Sequence, residues 1–244
     1  MKLYGVLFAA VGFLAAQGLR TPPSGLAEAG QESPAASTLR DYRPVDMLKT
    51  PLFWLMFVMM TMMATSGLMV TSQMSVFAAD FGVSKVLVFG LAAVPLALSI
   101  DRFANGLTRP LFGWISDRLG RENTMFIAFA LEGTAMTVWL LTRGDAVLFV
   151  LLSGVVFFGW GEIFSLFPST LADTFGTRYA TTNYGWLYIS FGIGSIFGGP
   201  LAALLHQYAH SWIPVFVCAI ALDFCAAALA LLVLKPARAR FIVG

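Results

Sequence analysis

The chain has 244 residues, of which 58% are hydrophobic and only 11% are charged, and its formal net charge is +2. Soluble domains carry about 25% charged residues, so this composition excludes an ordinary water-soluble protein and indicates a protein of the lipid bilayer. No nucleotide-binding loop, catalytic triad or metal-ligand cluster occurs in the sequence. We therefore predict no enzyme, no cofactor and no nucleic-acid partner.

The chain begins with a short apolar segment at residues 3–18, which follows Lys2. A signal peptide has a similar pattern, but the sequence LRTPPSG after the segment is a poor cleavage context, and we interpret the segment as a membrane helix. Residues 20–49 are rich in Pro, Ser, Gly and charge, as in TPPSG and GQESPAAS. That composition is typical of a linker rather than of a folded domain.

Six further apolar segments follow the linker, each near the length of about 20 residues that a spanning helix needs. They cover residues 52–72, 86–114, 124–142, 146–171, 184–205 and 212–234. The sequence therefore predicts an all-α, polytopic membrane protein with seven transmembrane helices. Its predicted parts are a helix at 1–19, a cytoplasmic linker at 20–49, a six-helix bundle at 50–235 and a cytoplasmic tail at 236–244.

The lysines and arginines between these segments predict the orientation, because cytoplasmic loops carry the excess of positive charge. One side of the predicted helices holds ten of them: Arg20, Arg40, Arg43, Lys49, Arg118, Arg121, Arg178, Lys235, Arg238 and Arg240. The other side holds three: Lys2, Lys85 and Arg143. We predict a plasma-membrane (inner-membrane) protein with a cytoplasmic C-terminus. Met1 would then be outside, which is unusual for a chain that begins Met-Lys, so we expect more spans before Met1 in a longer protein.

Arg109 is the residue around which the functional hypothesis is built. It precedes Asp117, where the chain becomes polar, by eight residues. That spacing corresponds to about 12 Å of helix, near the middle of a hydrocarbon core of about 30 Å. An arginine at that depth needs a partner. It either forms an ion pair with Glu132, Glu162 or Asp223, or binds the anion of a substrate in a central cavity.

Two neighbours of Arg109 on the same predicted helix belong to this hypothesis. Asn105, one turn away, can hold the guanidinium or contact a substrate. Arg102 lies two turns away on the same face, directly after Asp101, and either pairs with an acidic neighbour or contributes to the site. Three acidic residues lie well inside other spans, namely Glu132, Glu162 and Asp223. Each is either an ion-pair partner or, if it faces a cavity, a proton-binding group, because burial favours the neutral carboxyl.

Aromatic residues recur at helical spacing in the fifth and sixth segments. Trp160 and Phe164 are one turn apart, as are Tyr184 and Tyr188, and Phe191 continues the second face. Such stripes are packing surfaces or, beside a buried arginine, walls of a small site. Gly194 and Gly198 form a small-xxx-small pattern that predicts a close approach of two helices.

The turn from Gly113 to Arg121 is the most specific motif of the chain, and its pattern GxxxDRxGR resembles a cytoplasmic loop motif of the major facilitator superfamily. Longer strings resemble the oxalate/formate antiporter family within it: LRDYRPVDMLKTPLFWLMF, ATSGLMV, NGLTRPLFGWISDRLGREN, WGEIFSLFPS and ATTNYGWLY. The resemblance implies that the seven helices correspond to helices 6–12 of a twelve-helix fold, with helices 1–5 absent. It also implies that Asp117, Arg118 and Arg121 tune the conformational equilibrium.

The resemblance further implies a site. A buried arginine of helix 8 binds the substrate carboxylate in that family, and Arg109 matches its position. Phe191 lies where oxalate-transporting members have a lysine, and Phe164 where they have a tyrosine. One cation instead of two suggests a monocarboxylate or another less charged substrate.

We therefore predict a secondary transporter of small organic anions that works by alternating access. Arg109, Asn105, Trp160, Phe164, Tyr188 and Phe191 are its predicted substrate-binding residues. Its partners would be a small carboxylate, the lipid bilayer and a missing N-terminal half. The alternatives are a proton-coupled monocarboxylate symporter, and a non-transporting sensor or fragment.

Overall fold

The computed structural model describes residues 40–243, together with Phe13 and Gln17. The chain separates into two compact units, Met1–Pro34 and Ala35–Gly244. Phe13 and Gln17 are helical, but the rest of the predicted helix at 1–19 and residues 20–39 of the predicted linker lie outside the described residues.

Helices account for most of residues 40–243. They are α1 (Pro44–Met47), α2 (Pro51–Asp80), α3 (Ala93–Leu119), α4 (Arg121–Leu141), α5 (Ala146–Trp160), α6 (Ile163–Phe175), α7 (Ala180–Ala209), α8 (Ile213–Leu229) and α9 (Lys235–Val243). Only Gly161 and Glu162 separate α5 from α6, and a π-helical turn at Ala230–Leu234 joins α8 to α9. The prediction of an all-α fold is confirmed. Residues predicted as a tail from 236 onward are helical as far as Val243.

Polar caps and glycines set the ends of the long helices. The hydroxyl of Thr50 accepts a hydrogen bond from the backbone N–H of Phe53 at the start of α2, where Pro51 occupies the first helical position. The carboxylate of Asp145 caps α5 in the same way. Gly120, with φ of 86°, is the single residue between α3 and α4. Its left-handed backbone lets the chain reverse there without a steric penalty.

The predicted third span differs from the structure at its start. Strands β1 (Leu87–Val88) and β2 (Leu91–Ala92) form a small antiparallel hairpin where the sequence predicts helix from 86. Phe89 and Gly90 both have positive φ, at 51° and 82°. Two successive residues in that region make a tight hairpin turn and interrupt a helix, so α3 begins only at Ala93.

Five helices in the described part of the chain are long and apolar enough to cross a membrane, judged by length and composition. They cover Pro51–Asp80, Arg121–Leu141, Ala146–Phe175, Ala180–Ala209 and Ile213–Ile242. Helix α3 is not among them, although it has 27 residues. It carries five charged side chains: Asp101, Arg102, Arg109, Asp117 and Arg118. Among the described helices of more than 20 residues, the one with the least apolar composition is therefore the one on which the sequence predicts the site.

Small residues allow the long helices to pack closely. A Cβ on Gly194 of α7 would lie 2.6 Å from the Cβ of Ala64 in α2, and one on Gly198 would lie 3.0 Å from the Cβ of Leu68. Both distances are shorter than ordinary van der Waals contact, so the backbones of α2 and α7 approach as closely as the glycines permit. The predicted small-xxx-small contact is confirmed.

Candidate functional site

A cavity of about 230 Å³ lies between helices α2, α3, α5 and α6. Nine residues line it: Thr71, Leu98, Asp101, Arg102, Asn105, Arg109, Phe157, Trp160 and Phe164. Four of the six predicted substrate-binding residues are among them, namely Arg109, Asn105, Trp160 and Phe164. Thr71, Leu98 and Phe157 were not predicted, because a threonine or an apolar residue in an apolar helix carries no sequence signal of a site.

Arg109 points its guanidinium over an aromatic ring. The guanidinium carbon lies 5.0 Å from the centroid of the Phe164 ring, which is within the range of a cation–π interaction. Among residues 40–243 Arg109 forms no ion pair, whereas Arg121 and Arg238 each form two. The side chain lines the cavity but is exposed in the structure, and not buried as the resemblance implies. Its guanidinium keeps its hydrogen-bonding capacity for an anion.

The backbone beside Arg109 is anchored to the neighbouring helix. The hydroxyl of Thr108, which is fully buried, donates a hydrogen bond of 2.7 Å to the carbonyl of Phe158 in α5. Pro110 follows Arg109 inside α3 and has no N–H for the helical ladder. The contact from Thr108 therefore holds α3 against α5 next to a proline that weakens the helix.

The short break between α5 and α6 positions Trp160 and Asn105 in the wall of the cavity. Trp160 ends α5, and its indole N–H donates a hydrogen bond of 2.9 Å to the carbonyl of Met63 in α2. The indole ring lies against Gly67, where a Cβ would overlap it. A Cβ on Gly161 would lie 2.8 Å from the amide nitrogen of Asn105. Glycines at these two positions thus let α2 and α3 approach the break.

The remaining predicted aromatic residues pack behind Phe164. The Phe164 ring centroid lies 5.2 Å from that of Phe191 and 6.3 Å from that of Tyr188. The rings of Trp160 and Phe164 meet edge to face at 5.8 Å. Tyr188 and Phe191 do not line the cavity, but they extend its aromatic wall onto α7. The structure brings all four predicted aromatic residues together.

Asp101 and Arg102 lie at the other end of the cavity. Asp101 is 5% exposed, and within the described residues neither of its carboxylate oxygens has a hydrogen-bond partner. Arg102 itself is exposed. No ion pair joins Asp101 and Arg102 among the described residues, so the pairing alternative for Arg102 stays a prediction.

Glu132, Glu162 and Asp223 are completely buried, and none of them lines the cavity. They come from α4, from the break after α5 and from α8. Within the described residues none of them forms an ion pair. Packing brings their helices close, since a Cβ on Gly159 would lie 3.0 Å from the Cβ of Glu132, and one on Gly133 would lie 3.3 Å from the Cβ of Asp223.

Arg121 is the centre of an ionic network at the ends of the helices. Its guanidinium lies 2.8 Å from a carboxylate oxygen of Asp117 and 2.8 Å from one of Asp173, and it contacts the hydroxyl of Ser116. Arg118, the third residue of the predicted gating motif, lies over the ring of Trp114 at 4.0 Å. Asp117 and Arg121 thus belong to one ion-pair network, while Arg118 makes a separate cation–π contact.

Arg238 extends the same network from α9. It lies 2.7 Å from a carboxylate oxygen of Glu122 and 3.8 Å from Asp173, and its Nε donates a hydrogen bond to the hydroxyl of Thr174. Glu122, Asp173 and Arg238 were not predicted as members of this network. They are far apart in the sequence, so no local spacing could indicate that they meet.

Comparisons with known proteins agree with this architecture. The family model of the Major Facilitator Superfamily matches residues 89–242. The chain is 31% identical over 207 residues to the oxalate:formate antiporter of Oxalobacter formigenes, a match that covers 84% of this chain and 48% of that protein. It is 29% identical over 162 residues to the MFS-type transporter YhjX of Escherichia coli (strain K12), with 64% and 38% of the two chains covered.

Among solved structures, an auto-inhibited peptide transporter of the POT family has a similar fold. Its TM-score is 0.63 at 19% sequence identity, over 78% of this chain and 38% of that one. At this identity the similarity concerns the fold alone. The chain spans about half the length, or less, of the curated relatives it matches.

Proposed function

Because the chain belongs to the Major Facilitator Superfamily, a family of membrane transporters, we propose that it carries the substrate site of a secondary transporter for small organic anions. The observation that supports this most is Arg109, whose guanidinium faces a cavity of about 230 Å³ and has no carboxylate partner among residues 40–243. The side chain is exposed in this chain, and a guanidinium that forms no ion pair can bind an arriving carboxylate through charge-assisted hydrogen bonds.

Each part of the cavity has a distinct role in this proposal. Arg109 forms a charge-assisted, bidentate pair with a carboxylate, and Asn105 donates a further hydrogen bond. Trp160 and Phe164 exclude water and strengthen that pair by lowering the local dielectric. Tyr188 and Phe191 complete the wall on α7. Substrate enters and leaves unchanged, so no catalytic residue is involved.

The charge of the site favours a monocarboxylate over a dicarboxylate. Arg109 is the cation at the aromatic end of the cavity, whereas Arg102 lies two helical turns away, next to Asp101 in the sequence. A second carboxylate would lie among the rings of Phe164 and Phe191, without a partner. Formate-like anions therefore fit better than oxalate, although the relative from Oxalobacter formigenes is an oxalate:formate antiporter.

Alternating access supplies the transport step of the proposal. Such transporters bind substrate near the membrane midplane between two helical bundles that rock against each other. The exposed side of Arg109 would meet the second bundle. The network of Asp117, Arg121 and Asp173 would hold the cytoplasmic side in one of the two states, and the C-terminus would be cytoplasmic.

A second candidate is symport of a monocarboxylate with a proton. The buried carboxyls of Glu132, Glu162 and Asp223 favour it, because no cation neutralises them in the described part of the chain. Uptake into proteoliposomes with and without a pH gradient distinguishes the two candidates. Symport is accelerated by an inward proton gradient, whereas anion exchange is accelerated by anion on the opposite side.

Binding of radiolabelled formate to the purified chain in lipid nanodiscs tests the proposed site. We expect Arg109→Ala to weaken binding by about 100-fold, which corresponds to about 2.8 kcal/mol for a lost charge pair. Arg109→Lys should recover only part of the affinity, because an ammonium cannot make the bidentate contact.

Arg143→Ala is the matched control, since Arg143 lies in an exposed turn and bonds only to the carbonyl of Leu140 among the described residues. Its affinity should equal that of the unmodified chain. Equal formate affinity for the unmodified chain and Arg109→Ala would reject the proposed site.

A further inference from the structure

We propose that Gly67 sets the upper size limit of the bound anion by admitting the indole of Trp160, and that the cavity thereby takes monocarboxylates with a short apolar chain. Gly67 lies in α2 and is not among the residues that line the cavity. It acts through Trp160, so it is a positioning residue. This inference deepens the function proposed for Arg109 and rests on it.

The indole of Trp160 occupies the space that a side chain at position 67 would need. A Cβ built on Gly67 would overlap the indole nitrogen and the neighbouring ring carbon Cδ1. The indole N–H donates a hydrogen bond of 2.9 Å to the carbonyl of Met63, which lies one turn before Gly67 in α2. The missing side chain of Gly67 and the hydrogen bond to Met63 together hold the indole against α2.

Three phenylalanine rings pack around the indole. The ring centroid of Trp160 lies 6.0, 5.8 and 6.2 Å from those of Phe157, Phe164 and Phe191, respectively. Trp160, Phe157 and Phe164 line the cavity. Because these rings occupy the neighbouring positions, an indole displaced from α2 by a side chain at position 67 moves into the cavity and reduces its volume.

Helix α2 also contributes to the cavity wall directly, one turn beyond Gly67. The hydroxyl of Thr71, which lines the cavity, donates a hydrogen bond of 2.7 Å to the carbonyl of Gly67. This bond uses the hydroxyl proton within the helix, so Thr71 does not donate to a carboxylate in the cavity. The wall on α2 therefore limits the space for the anion and does not bind its charge.

The volume and the lining of the cavity favour an anion longer than formate. The cavity of about 230 Å³ corresponds to about seven water molecules at about 30 Å³ each, whereas formate has a single carbon atom. Much of the wall is apolar, with side chains from Leu98, Phe157, Trp160 and Phe164. When the carboxylate binds Arg109, a short apolar chain attached to it can fill this space and leave water, which favours binding.

Displacement of radiolabelled formate from the purified chain in lipid nanodiscs tests the inference. Formate, acetate, propionate and butyrate serve as unlabelled competitors. For the unmodified chain we expect the affinity to rise about threefold with each added carbon, because each buries further apolar surface. In Gly67→Ala the affinity for butyrate should fall about tenfold and that for formate by less than about twofold, because the displaced indole takes the space of the chain.

A compensating variant separates the size limit from a general loss of structure. Gly67→Ala combined with Trp160→Phe should recover most of the lost affinity for butyrate, because a phenyl ring leaves room for the added Cβ. If Gly67→Ala does not fold, Trp160→Phe alone gives the test. Its smaller ring enlarges the cavity, and the butyrate-to-formate affinity ratio should rise above that of the unmodified chain.

Gly192→Ala is the matched control for replacing a helical glycine, since no atom of the described residues lies within 4 Å of a Cβ added there. Its butyrate-to-formate affinity ratio should equal that of the unmodified chain. An affinity that does not rise with chain length would overturn the inference. So would an equal loss for all four anions in Gly67→Ala, or an unchanged ratio in Trp160→Phe.

The size limit and the anion site can fail separately. If formate binding depends on Arg109 and the affinity ratios do not respond to Gly67→Ala, the anion site stands and the size limit is wrong. If none of the four anions binds, the proposed function fails and the size limit fails with it.

Discussion

At the scale of single residues, Arg109 shows why a charge in an apolar helix is informative. Its guanidinium is stabilised in the unliganded cavity by the ring of Phe164 at 5.0 Å. At an exposed side chain such as this one, a cation–π contact is worth about 0.5 to 1 kcal/mol. The ring of Phe164 therefore orients the guanidinium of Arg109, and this weak contact leaves the guanidinium able to bind an anion.

A substitution at Phe191 tests whether the number of cations in the site determines the preference between formate and oxalate. We expect Phe191→Lys to raise the affinity for oxalate about tenfold relative to formate, or about 1.4 kcal/mol, because a second cation beside Phe164 gives the second carboxylate a partner. The ring of Phe191 is 5.2 Å from that of Phe164, so an ammonium at this position reaches the cavity. Equilibrium dialysis with both anions measures the ratio.

Phe191→Leu is the control for lost aromatic packing without added charge. It should leave the oxalate-to-formate ratio unchanged. If the oxalate-to-formate affinity ratio rises equally in both variants, the loss of the aromatic ring, and not the added charge, accounts for the change.

The sequence predicted Arg109, Asn105, Trp160 and Phe164 of the cavity but not the lining residue Phe157. Arg109 and Asn105 were indicated by their own spacing, and Trp160 and Phe164 by a helical stripe. The pairing alternatives for Glu132, Glu162 and Asp223 were left open, since the choice depends on which helix faces which. In the structure none of these acids forms an ion pair with Arg109, and all three are completely buried.

At the scale of elements, glycines decide how near the helices come. Gly194 and Gly198 bring α7 onto α2, and Gly67 admits the indole of Trp160. In a membrane, packing and backbone contacts replace the hydrophobic effect as the main force between helices. The shape of the cavity therefore depends on these glycines, because a larger residue would push the helices apart.

Gly194→Ala tests this dependence. The added Cβ would lie 2.6 Å from the Cβ of Ala64 and 3.0 Å from the backbone nitrogen of Thr65, so α7 must move away. Overpacking of this kind costs about 2 kcal/mol, and we expect the thermal unfolding midpoint to fall by about 5 °C. Thermal unfolding followed by tryptophan fluorescence provides the measurement.

Gly192→Ala is the matched control on the same helix, since no atom lies within 4 Å of its added Cβ. The midpoint of this variant should stay the same or rise slightly, because alanine favours the helix more than glycine does. Equal losses in both variants would mean that helix propensity, and not the contact with α2, accounts for the effect.

The sequence did not predict where α3 begins or that the span at 146–171 is interrupted. The hairpin at 87–92 consists of apolar residues that continue the composition of the following helix, so hydropathy alone cannot separate it. The break at Gly161 and Glu162 was also missed, because one glycine in an apolar segment is common. Its effect depends on Asn105, which packs against it from another helix.

At the scale of the whole molecule, buried ion pairs join the ends of helices that are distant in sequence. Arg121, Asp173, Glu122 and Arg238 link α4, α6 and α9, and the side chains of all four are at most 12% exposed. Such contacts arise only from the complete fold, and the sequence predicted only the part that lies within one turn, Asp117 and Arg121.

Arg238→Ala tests the contribution of this network to stability. Glu122 would be left without its partner at 2.7 Å. Removing one member of a buried pair costs about 3 kcal/mol. We expect that loss in the free energy of unfolding, measured by denaturant titration in lipid–detergent micelles.

Lys49→Ala is the comparison for an exposed pair. Lys49 and Asp46 are 3.5 Å apart, and their side chains are 72% and 54% exposed. Its removal should cost less than about 1 kcal/mol. A similar loss for both variants would show that the network around Arg238 adds no more than a surface pair.

The most direct test of the anion site is a structure of the protein determined with formate. We predict density for the anion in the cavity, in contact with the guanidinium of Arg109 and the amide of Asn105, next to the ring of Phe164. A formate ion bound elsewhere, or Arg109 paired with a carboxylate of the protein in the presence of formate, would contradict the proposed function.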